Sequence, residues 1–412
     1  MDSEIVIPNE STGFDSLKIM EKLQQNARLM AGVPTLNASL YRRIRFLVGD
    51  PVALLEIPNL NGTITSTLIL RDIEIERAKV NAAADSFFSP KDFTPETGLS
   101  GDREVATAQA TAECLRRAGV NSVTADRSLP MIFVDMIRKQ GIAVVCDPDW
   151  GILERRQKDE REIQAISRAQ EVTEIVMRRA CETVGNAVAV RTGPMAGQLE
   201  SGGVLLTSEW MRTKIDQWLL EFGFSNPESI VSGGPQGGDC HEHGSGPLLT
   251  GQPIIIDIFP RDKQSLYNGD CTRTVVHGEI SPILQRMHSA VVSAKAAATN
   301  SIRPGMSGHD VHAVTFSVIQ EHGFEVRLPT DDDPLDFTAM THGTGHGVGL
   351  EVHEAPLLAD NGVIILERDV LTIEPGLYCK SLGGIRVEDM VVVTADGCTS
   401  LNRLPEGLTW KS

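Results

Sequence analysis

Residues 340–356 read MTHGTGHGVGLEVHEAP and place three histidines among four alternating glycines. The histidines are His342, His346 and His353, and the glycines leave little side-chain bulk around their rings. Alternating glycines let a ligand or another backbone approach closely, and histidine is the commonest protein ligand for metals. The stretch therefore predicts metal or substrate chemistry in place of a packed core.

The chain around this stretch has the length and composition of a two-domain globular protein. It contains 412 residues, of which 41% are hydrophobic and 23% charged, and few single cores grow that large. Its net charge of −17 argues against nucleic acid as a partner, because phosphates would be repelled. We find no apolar run near the roughly 18 residues of a membrane span, and no signal-peptide pattern at the acidic N-terminus. Seven scattered cysteines without a CxxC pair are typical of reduced thiols, so we expect a cytoplasmic protein that does not bind membranes.

Residues 1–153 predict a small α/β domain without histidine chemistry. All ten histidines lie at or after His241. Apolar spacings of three and four predict helices at 16–31 and 104–118, and β-branched segments between them predict strands. We assign this domain to support, dimerisation or access control.

Residues 154–412 begin with a strongly amphipathic pattern that predicts one helix over 154–184. A glycine-rich loop follows at 232–247 and contains His241 and His243. Glycine-rich loops are flexible linkers or site loops, and the two histidines favour a site loop.

Four predicted strands in this half each carry a carboxylate or lead into one. The strands lie at 253–260, 267–278, 370–378 and 383–394, and the acids are Asp257, Asp270, Glu374 and Glu388. One such acid could point to solvent. Four acids buried together would repel one another, whereas two divalent ions would balance their charge.

The segments IIIDIFP, GDCTRT, HGTGHGVGLEVHEAP, TIEPGLY and GGIRVED, in this order, resemble the successive motifs of the pita-bread metallopeptidases. That family contains prolidase, aminopeptidase P and methionine aminopeptidase, with the non-metal creatinase as a relative. The resemblance covers roughly residues 155–412 and favours the prolidase and aminopeptidase P branch. It implies an α+β or α/β fold, with a small creatinase-N-like α/β domain at 1–153 and a pita-bread catalytic domain at 154–412.

The resemblance also implies a two-metal ligand set. Asp257 would bind one ion, His346 and Glu374 would bind the other, and Asp270 and Glu388 would bridge them. This mostly oxygen set suits several divalent ions. We expect manganese, with cobalt, zinc or iron as alternatives.

By the same resemblance, the reaction is cleavage of the peptide bond before proline by a metal-bridging hydroxide. Glu374 would handle the proton of the attacking water. His342 and His353 would stabilise the tetrahedral oxyanion or orient the substrate. The substrate would be an Xaa-Pro dipeptide or the N-terminus of an Xaa-Pro peptide, and the family implies a homodimer.

Four further residues complete the implied site. Arg386 would contact the substrate or the groups around it, and Thr272 would support the bridging acids. His241 would bind substrate, with His243 close enough to take that role instead.

Two alternatives remain open. One is a creatinase-like hydrolase that works on the same fold without metal, which the complete ligand set disfavours. The other is a peptide-binding relative that has lost catalysis, which the presence of the helper histidines disfavours.

Overall fold

A computed structural model describes residues 27–58 and 63–411 of the chain, and it divides into two compact units, Met1–Glu154 and Arg155–Ser412. The helix predicted at 16–31 is wrong in its described part, because Ala27–Gly32 forms a buried strand. Its backbone pairs with a neighbouring strand on each side, and tertiary pairing outweighs local helix propensity. Residues 16–26 lie outside the described residues.

The first unit is built on one mixed sheet. Its strands are β1 Ala27–Gly32, β2 Val52–Pro58, β3 Ile64–Ile69, β4 Ser86–Phe88, β5 Ser122–Asp126 and β6 Ala143–Asp147. Its helices are α1 Ala38–Ile44, α2 Ile75–Asn81, α3 Arg103–Arg117, α4 Met131–Lys139 and α5 Ile152–Arg156, the last of which crosses the boundary between the units. The strand order is β4-β3-β2-β1-β5-β6.

Side-chain alternation along β1 gives this sheet a core on each face. Leu29 and Ala31 pack with one apolar cluster, which includes Leu115 of α3. Met30 packs with another, which includes Leu40 of α1. Successive strand residues point to opposite faces, so both faces are covered.

The second unit contains several smaller sheets and four longer helices among the described residues. The helices are α6 Glu160–Gly185, α7 Ser208–Glu221, α8 Pro282–Ser301 and α9 Gly308–Glu321. The first strands are β7 Val188–Ala189, β8 Leu199–Ser201, β9 Val204–Leu205, β10 Phe224–Ser225, β11 Ser229–Gly233, β12 Pro253–Ile258, β13 Arg261–Asp262 and β14 Cys271–Val276. The remaining strands are β15 Glu325–Val326, β16 Thr338–Met340, β17 Gly345–Gly347, β18 Glu354–Leu358, β19 Val370–Ile373, β20 Gly376–Cys379, β21 Gly383–Arg386, β22 Asp389–Val393 and β23 Cys398–Ser400.

Three of these sheets position the chemistry: β11-β12-β14, β15-β16-β20-β21 and β18-β17-β19-β22-β23. On β12, Ile254, Ile256 and Ile258 belong to the apolar core that also contains residues of α6 and α7. Because alternate strand residues point to opposite faces, Asp257 lies on the face away from these helices. No helix in the described ranges is long and apolar enough to span a membrane.

The predicted helix over 154–184 is two helices, α5 and α6, separated at residues 157–159. Asp159 begins α6 as its N-cap: its carboxylate accepts a hydrogen bond from the Glu162 backbone, and the Glu162 side chain accepts one from the Asp159 backbone. This reciprocal capping box satisfies two free backbone donors. The predicted strand at 383–394 is likewise two strands, β21 and β22, and Glu388 lies between them.

The segment 155–158, which we call the cationic anchor, places three buried cations against acids far along the chain. Lys158 Nζ donates to Glu354 Oε2 at 2.9 Å, and both side chains are at most 3% exposed. Arg156 pairs with the buried Asp369 at 2.6 Å. Arg155 pairs with Glu351 and lies 3.7 Å from Glu354. Burial pushes the pKa of Glu354 up, but the charges of Lys158 and Arg155 outweigh it and keep that pKa below its ordinary value.

Replacing Lys158 with methionine should destabilise the protein by roughly 3–5 kcal/mol, because it leaves the Glu354 carboxylate buried without its closest cation. Urea denaturation followed by circular dichroism measures the change. Lys263→Met is the matched control: Lys263 is exposed, and we expect its midpoint to stay at the parent value. If the urea midpoint of Lys158→Met equals that of the parent, the ion pair does not stabilise the protein.

Candidate metal centre

One cavity of about 540 Å³ in the second unit brings together every residue predicted for metal binding, catalysis or substrate contact, apart from the supporting residue Thr272. These are Asp257, Asp270, His346, Glu374 and Glu388, with His241, His243, His342, His353 and Arg386. They come from loops and strands of three different sheets. The convergence follows from the fold, since these residues span more than 140 positions of sequence.

The two carboxylate oxygens of Asp257 have different surroundings. Its Oδ2 accepts a hydrogen bond from Arg386 Nη2 at 2.6 Å. Its Oδ1 is buried and has no hydrogen-bond partner in the part of the chain that the structure describes. A buried carboxylate oxygen without a donor is costly, so this atom is suited to a cation.

Asp270 is held by its backbone. Gln170 on α6 accepts a hydrogen bond from the Asp270 N–H at 2.8 Å and donates one to the Asp270 carbonyl at 2.7 Å. The carboxylate lines the cavity, shares a hydrogen bond with the Glu388 carboxyl and places Oδ2 3.8 Å from His346 Nε2.

The ring of His346 is oriented by its own neighbour. Nδ1 donates to the Gly347 carbonyl at 3.0 Å, so in the neutral ring Nε2 carries the lone pair. Burial lowers the pKa of His346, which favours that neutral form. Nε2 lies 3.6 Å from Glu374 Oε1. A ring nitrogen that keeps its lone pair and lies among carboxylates is placed to bind a metal.

Glu388 is fixed from two sides by the strand that follows Asp270. Thr272 Oγ1 donates to Glu388 Oε2 at 2.8 Å, and the Glu388 N–H donates to the Thr272 carbonyl at 3.1 Å. Arg273 Nη1 donates to the Glu388 carbonyl at 2.6 Å. These bonds explain the break between β21 and β22, because Glu388 turns inward to Thr272.

Positive charge in the cavity would stabilise the ionised form of its buried acids. Burial, together with the charges of Asp257 and Glu374, raises the pKa of Asp270 well above its ordinary value. Burial and the neighbouring acids raise the pKa of Glu388 in the same way. Ligand atoms of Asp270, His346 and Glu388 lie within 4.8 Å of one another. Four carboxylates and one unprotonated imidazole nitrogen fit divalent metal ions.

His342 belongs to a hydrogen-bonded chain that begins at Arg386. Arg386 Nη1 donates to the Tyr378 hydroxyl at 2.9 Å, and that hydroxyl lies 2.7 Å from His342 Nε2. His342 Nδ1 donates to the Gly343 carbonyl at 2.7 Å, so Nε2 accepts from Tyr378. As placed, His342 has no N–H left for an oxyanion.

The other three histidines lie in the cavity wall with fewer bonds. His353 packs edge-on against His346 with ring centroids 4.4 Å apart. His241 is exposed, with Cys240 Sγ at 3.8 Å from its Nδ1. His243 Nε2 lies 3.7 Å from Glu228 Oε2. Both His241 and His243 line the cavity, so the geometry leaves either able to contact substrate.

The alternating glycines mainly serve strand packing. A Cβ at Gly345 would lie 2.0 Å from the Thr372 carbonyl oxygen, and one at Gly347 would lie 2.4 Å from that of Ala355. Side chains at these positions would push β17 away from its neighbours. Gly343 and Gly345 also line the cavity, so they additionally leave room for a ligand to approach the backbone.

Three supporting residues were not identified from the sequence: Gln170, Arg273 and Tyr378. Gln170 offered a signal, because it is a polar residue four positions after Ile166 on the apolar stripe of α6. Arg273 offered another, as a charge inside a β-branched strand. Both are buried, and a buried polar group needs a partner.

Comparison with known proteins gives one family and several relatives. The profile of metallopeptidase family M24 matches residues 164–395. The chain is 25% identical to the Xaa-Pro dipeptidase of Pyrococcus horikoshii over 291 residues, which cover 69% of this chain and 74% of that protein. It is 34% identical to the "Probable dipeptidase PepE" of Mycobacterium tuberculosis over 181 residues, which cover 43% of this chain and 45% of that protein.

A solved structure extends the likeness over nearly the whole chain. The X-Pro aminopeptidase of Thermotoga maritima superimposes with a TM-score of 0.73 at 22% identity, covering 94% of this chain and 98% of that one. At this identity the likeness concerns the fold alone. The predicted fold class, an α/β pita-bread fold with an N-terminal domain, is confirmed.

Proposed function

Because this chain belongs to metallopeptidase family M24, we propose that it is a two-metal hydrolase that cleaves the peptide bond before proline. Its substrates are Xaa-Pro dipeptides or the N-termini of Xaa-Pro peptides. The similarity to the Xaa-Pro dipeptidase of Pyrococcus horikoshii supports this substrate class. We also propose manganese as the metal and a cytoplasmic homodimer as the working form, without nucleic acid as a partner.

The observation that carries the proposal is the arrangement of five donor residues around one cavity. Asp257, Asp270, Glu374 and Glu388 lie there with His346, whose Nε2 is left as an acceptor. Asp257 and the pair His346 and Glu374 would each belong to one ion, and Asp270 and Glu388 would be shared. This set supports a pair of hard or borderline divalent ions.

When bound, the metal ions supply the positive charge that lowers the pKa of a water molecule and polarises the scissile carbonyl. Glu374, at 21% side-chain exposure, is the carboxylate that would take up the proton of the attacking water. His353, whose ring makes no hydrogen bond within the described residues, would donate to the oxygen that gains charge. His342 would orient substrate together with Tyr378.

The structure of proline explains why metal-assisted hydrolysis suits an Xaa-Pro bond. Its peptide bond has no N–H and its ring fixes φ, so a peptidase that relies on that N–H handles it badly. Attack on a carbonyl that is polarised by metal ions would need no hydrogen bond from that N–H. Arg386 would act here by holding Asp257 and Tyr378, and His241 or His243 would contact the substrate.

Removal of metal should abolish hydrolysis of Xaa-Pro peptides, and manganese should restore it. The measurement is metal content by mass spectrometry together with turnover of Leu-Pro and Leu-Pro-Ala, before and after dialysis against a chelator. Cleavage of the dipeptide alone would assign a dipeptidase, and cleavage of the tripeptide would assign an aminopeptidase.

Three results would contradict the proposal. Turnover that survives complete loss of metal would rule out the two-metal mechanism. Hydrolysis of creatine, with no cleavage of any Xaa-Pro peptide, would favour the creatinase-like alternative. A protein that binds these peptides without cleaving them in any metal would be a non-catalytic relative.

A further inference from the structure

Three consecutive side chains at the edge of the cavity carry donor atoms of three different kinds. The residues are Asp239, Cys240 and His241, and we call them the edge cluster. One carboxylate oxygen, the thiol sulfur and one ring nitrogen of these residues lie within 4.8 Å of one another. Cys240 and His241 also line the cavity. The edge cluster shares no residue with the proposed two-metal ligand set, so its donor atoms are available to a different ion.

The distance between sulfur and nitrogen in the edge cluster matches shared coordination of one metal. Cys240 Sγ lies 3.8 Å from His241 Nδ1. In a tetrahedral zinc site the metal–sulfur distance is about 2.3 Å and the metal–nitrogen distance about 2.0–2.1 Å, which places the two donor atoms roughly 3.6 Å apart. The observed separation is within a few tenths of an ångström of this value, so both atoms can reach one ion without rearrangement of the loop.

The backbone of the edge cluster is held against the strands beside it. The Cys240 carbonyl accepts a hydrogen bond from Arg386 Nη1 at 3.2 Å. Gly238, which precedes the cluster, lies so close to the next strand that a Cβ on it would be 2.6 Å from the Cys379 carbonyl oxygen. A loop that is already fixed in place has less conformational freedom to lose when its side chains bind a ligand. The edge cluster is therefore preorganised.

The donor set of the edge cluster differs from that of the two-metal centre. Thiolate ligands favour zinc and other soft ions, whereas the proposed pair of ions has only oxygen ligands and one imidazole nitrogen. Among the described residues, two groups of side chains have the geometry to hold an ion, and only the edge cluster contains a cysteine. Burial raises the pKa of the Cys240 thiol, so an ion that binds there displaces the thiol proton.

We propose that the edge cluster is a separate zinc site, formed by the Asp239 carboxylate, the Cys240 thiolate and His241 Nδ1. A water molecule completes the four ligands that zinc prefers, and the thiol proton passes to solvent. With Nδ1 bound to zinc, the His241 ring keeps its proton on Nε2. The ion thus fixes this histidine as a hydrogen-bond donor at the cavity wall. The site rests on its own donor atoms and does not depend on the proposed peptidase function.

Cobalt is the probe that separates this site from the two-metal centre. Co²⁺ binds the same ligand types as zinc, and a thiolate ligand gives it a charge-transfer band in the near ultraviolet, which oxygen and imidazole ligands do not. The manganese-loaded protein is titrated with Co²⁺ while its absorbance is recorded. The band should grow to saturation at one equivalent of thiolate-bound cobalt, and added zinc should remove it.

Variants locate the thiolate ligand. Cys240→Ser should lose the band completely, and after equilibrium dialysis it should hold one zinc ion fewer than the parent. Its manganese content should equal that of the parent, which shows that the second unit is folded. Cys146→Ser removes an exposed cysteine of the first unit and is the matched control, with the band unchanged. His241→Gln should also abolish saturation of the band, and it decides the question if Cys240→Ser does not fold.

Absence of the band in the parent would overturn the proposal. A band that persists in Cys240→Ser, or a parent-like band in His241→Gln, would overturn it as well, because the thiolate or the imidazole would then not be a ligand. Failure of the proposed function gives a different result. A protein that cleaves no Xaa-Pro peptide but shows a band that depends on Cys240 has the zinc site without the peptidase activity.

Discussion

Replacing Glu388 with alanine should abolish metal binding and catalysis together. Glu388 is the proposed bridge that Thr272 and Arg273 hold in place, so its loss removes an oxygen from both ions at once. We expect kcat/KM to fall about 10,000-fold, equivalent to roughly 5.5 kcal/mol of transition-state stabilisation. Metal content by mass spectrometry and turnover of Leu-Pro-Ala measure the two effects.

The stability of the metal-free form separates this effect from misfolding. Without metal, the parent keeps several mutually repelling carboxylates, and burial and these neighbours raise the pKa of Glu388. The metal-free variant should therefore melt at the same temperature as the metal-free parent or higher. Glu367→Ala, which removes an exposed acid, should change neither metal content nor turnover. A Glu388 variant with two metals and normal turnover would show that the bridge is elsewhere.

Replacing Arg386 with methionine should lower kcat/KM by about 100- to 1,000-fold, although we expect Arg386 to touch neither metal. The Asp257 carboxylate would lose the partner that sets its orientation, and loss of such supporting bonds costs about 10- to 100-fold in metal affinity or activity. Tyr378 would lose its donor as well, so the position of His342 would be disturbed in addition.

Arg386→Lys tests whether charge or geometry matters. Lysine keeps the charge but cannot form the planar fork of bonds that reaches Asp257 and Tyr378, so we expect activity between those of the parent and Arg386→Met. Titration of metal should show a weakened affinity at the Asp257 ion first. Arg403→Met removes an exposed arginine and is the matched control. Parent-like metal affinity and turnover in Arg386→Met would contradict the role given to this arginine.

The residues of the candidate site could be predicted from sequence because each lies in a local motif that resembles a motif of a known family. Asp257 interrupts an apolar strand, and His346 stands among glycines whose spacing excludes a helix. Their supporting partners are of another kind. Gln170 lies 100 residues from Asp270, and Arg273 lies 115 residues from Glu388. No local pattern encodes such pairings, which exist only after the strands and α6 have packed.

The errors in secondary structure have the same origin. The amphipathic pattern over 154–184 is continuous, yet the helix breaks where Lys158 reaches Glu354, 196 residues later. The Ala27–Gly32 segment has helix-like spacing but forms a strand that pairs with a neighbouring strand on each side. In both places a long-range contact outweighs local propensity.

The cationic anchor has a consequence for where the catalytic half of the chain can be cut. The segment 155–158 lies outside the part of the sequence that matches the family profile, residues 164–395. A fragment that began at residue 164 would lose Arg156 and Lys158 and leave Asp369 and Glu354 as buried, uncompensated charges. Glu354 adjoins His353, and Asp369 opens the strand that leads to Glu374. Proteolytic cleavage before residue 155 should therefore leave the fold of the second unit intact, whereas cleavage a few residues later should unfold the segments around His353 and Glu374.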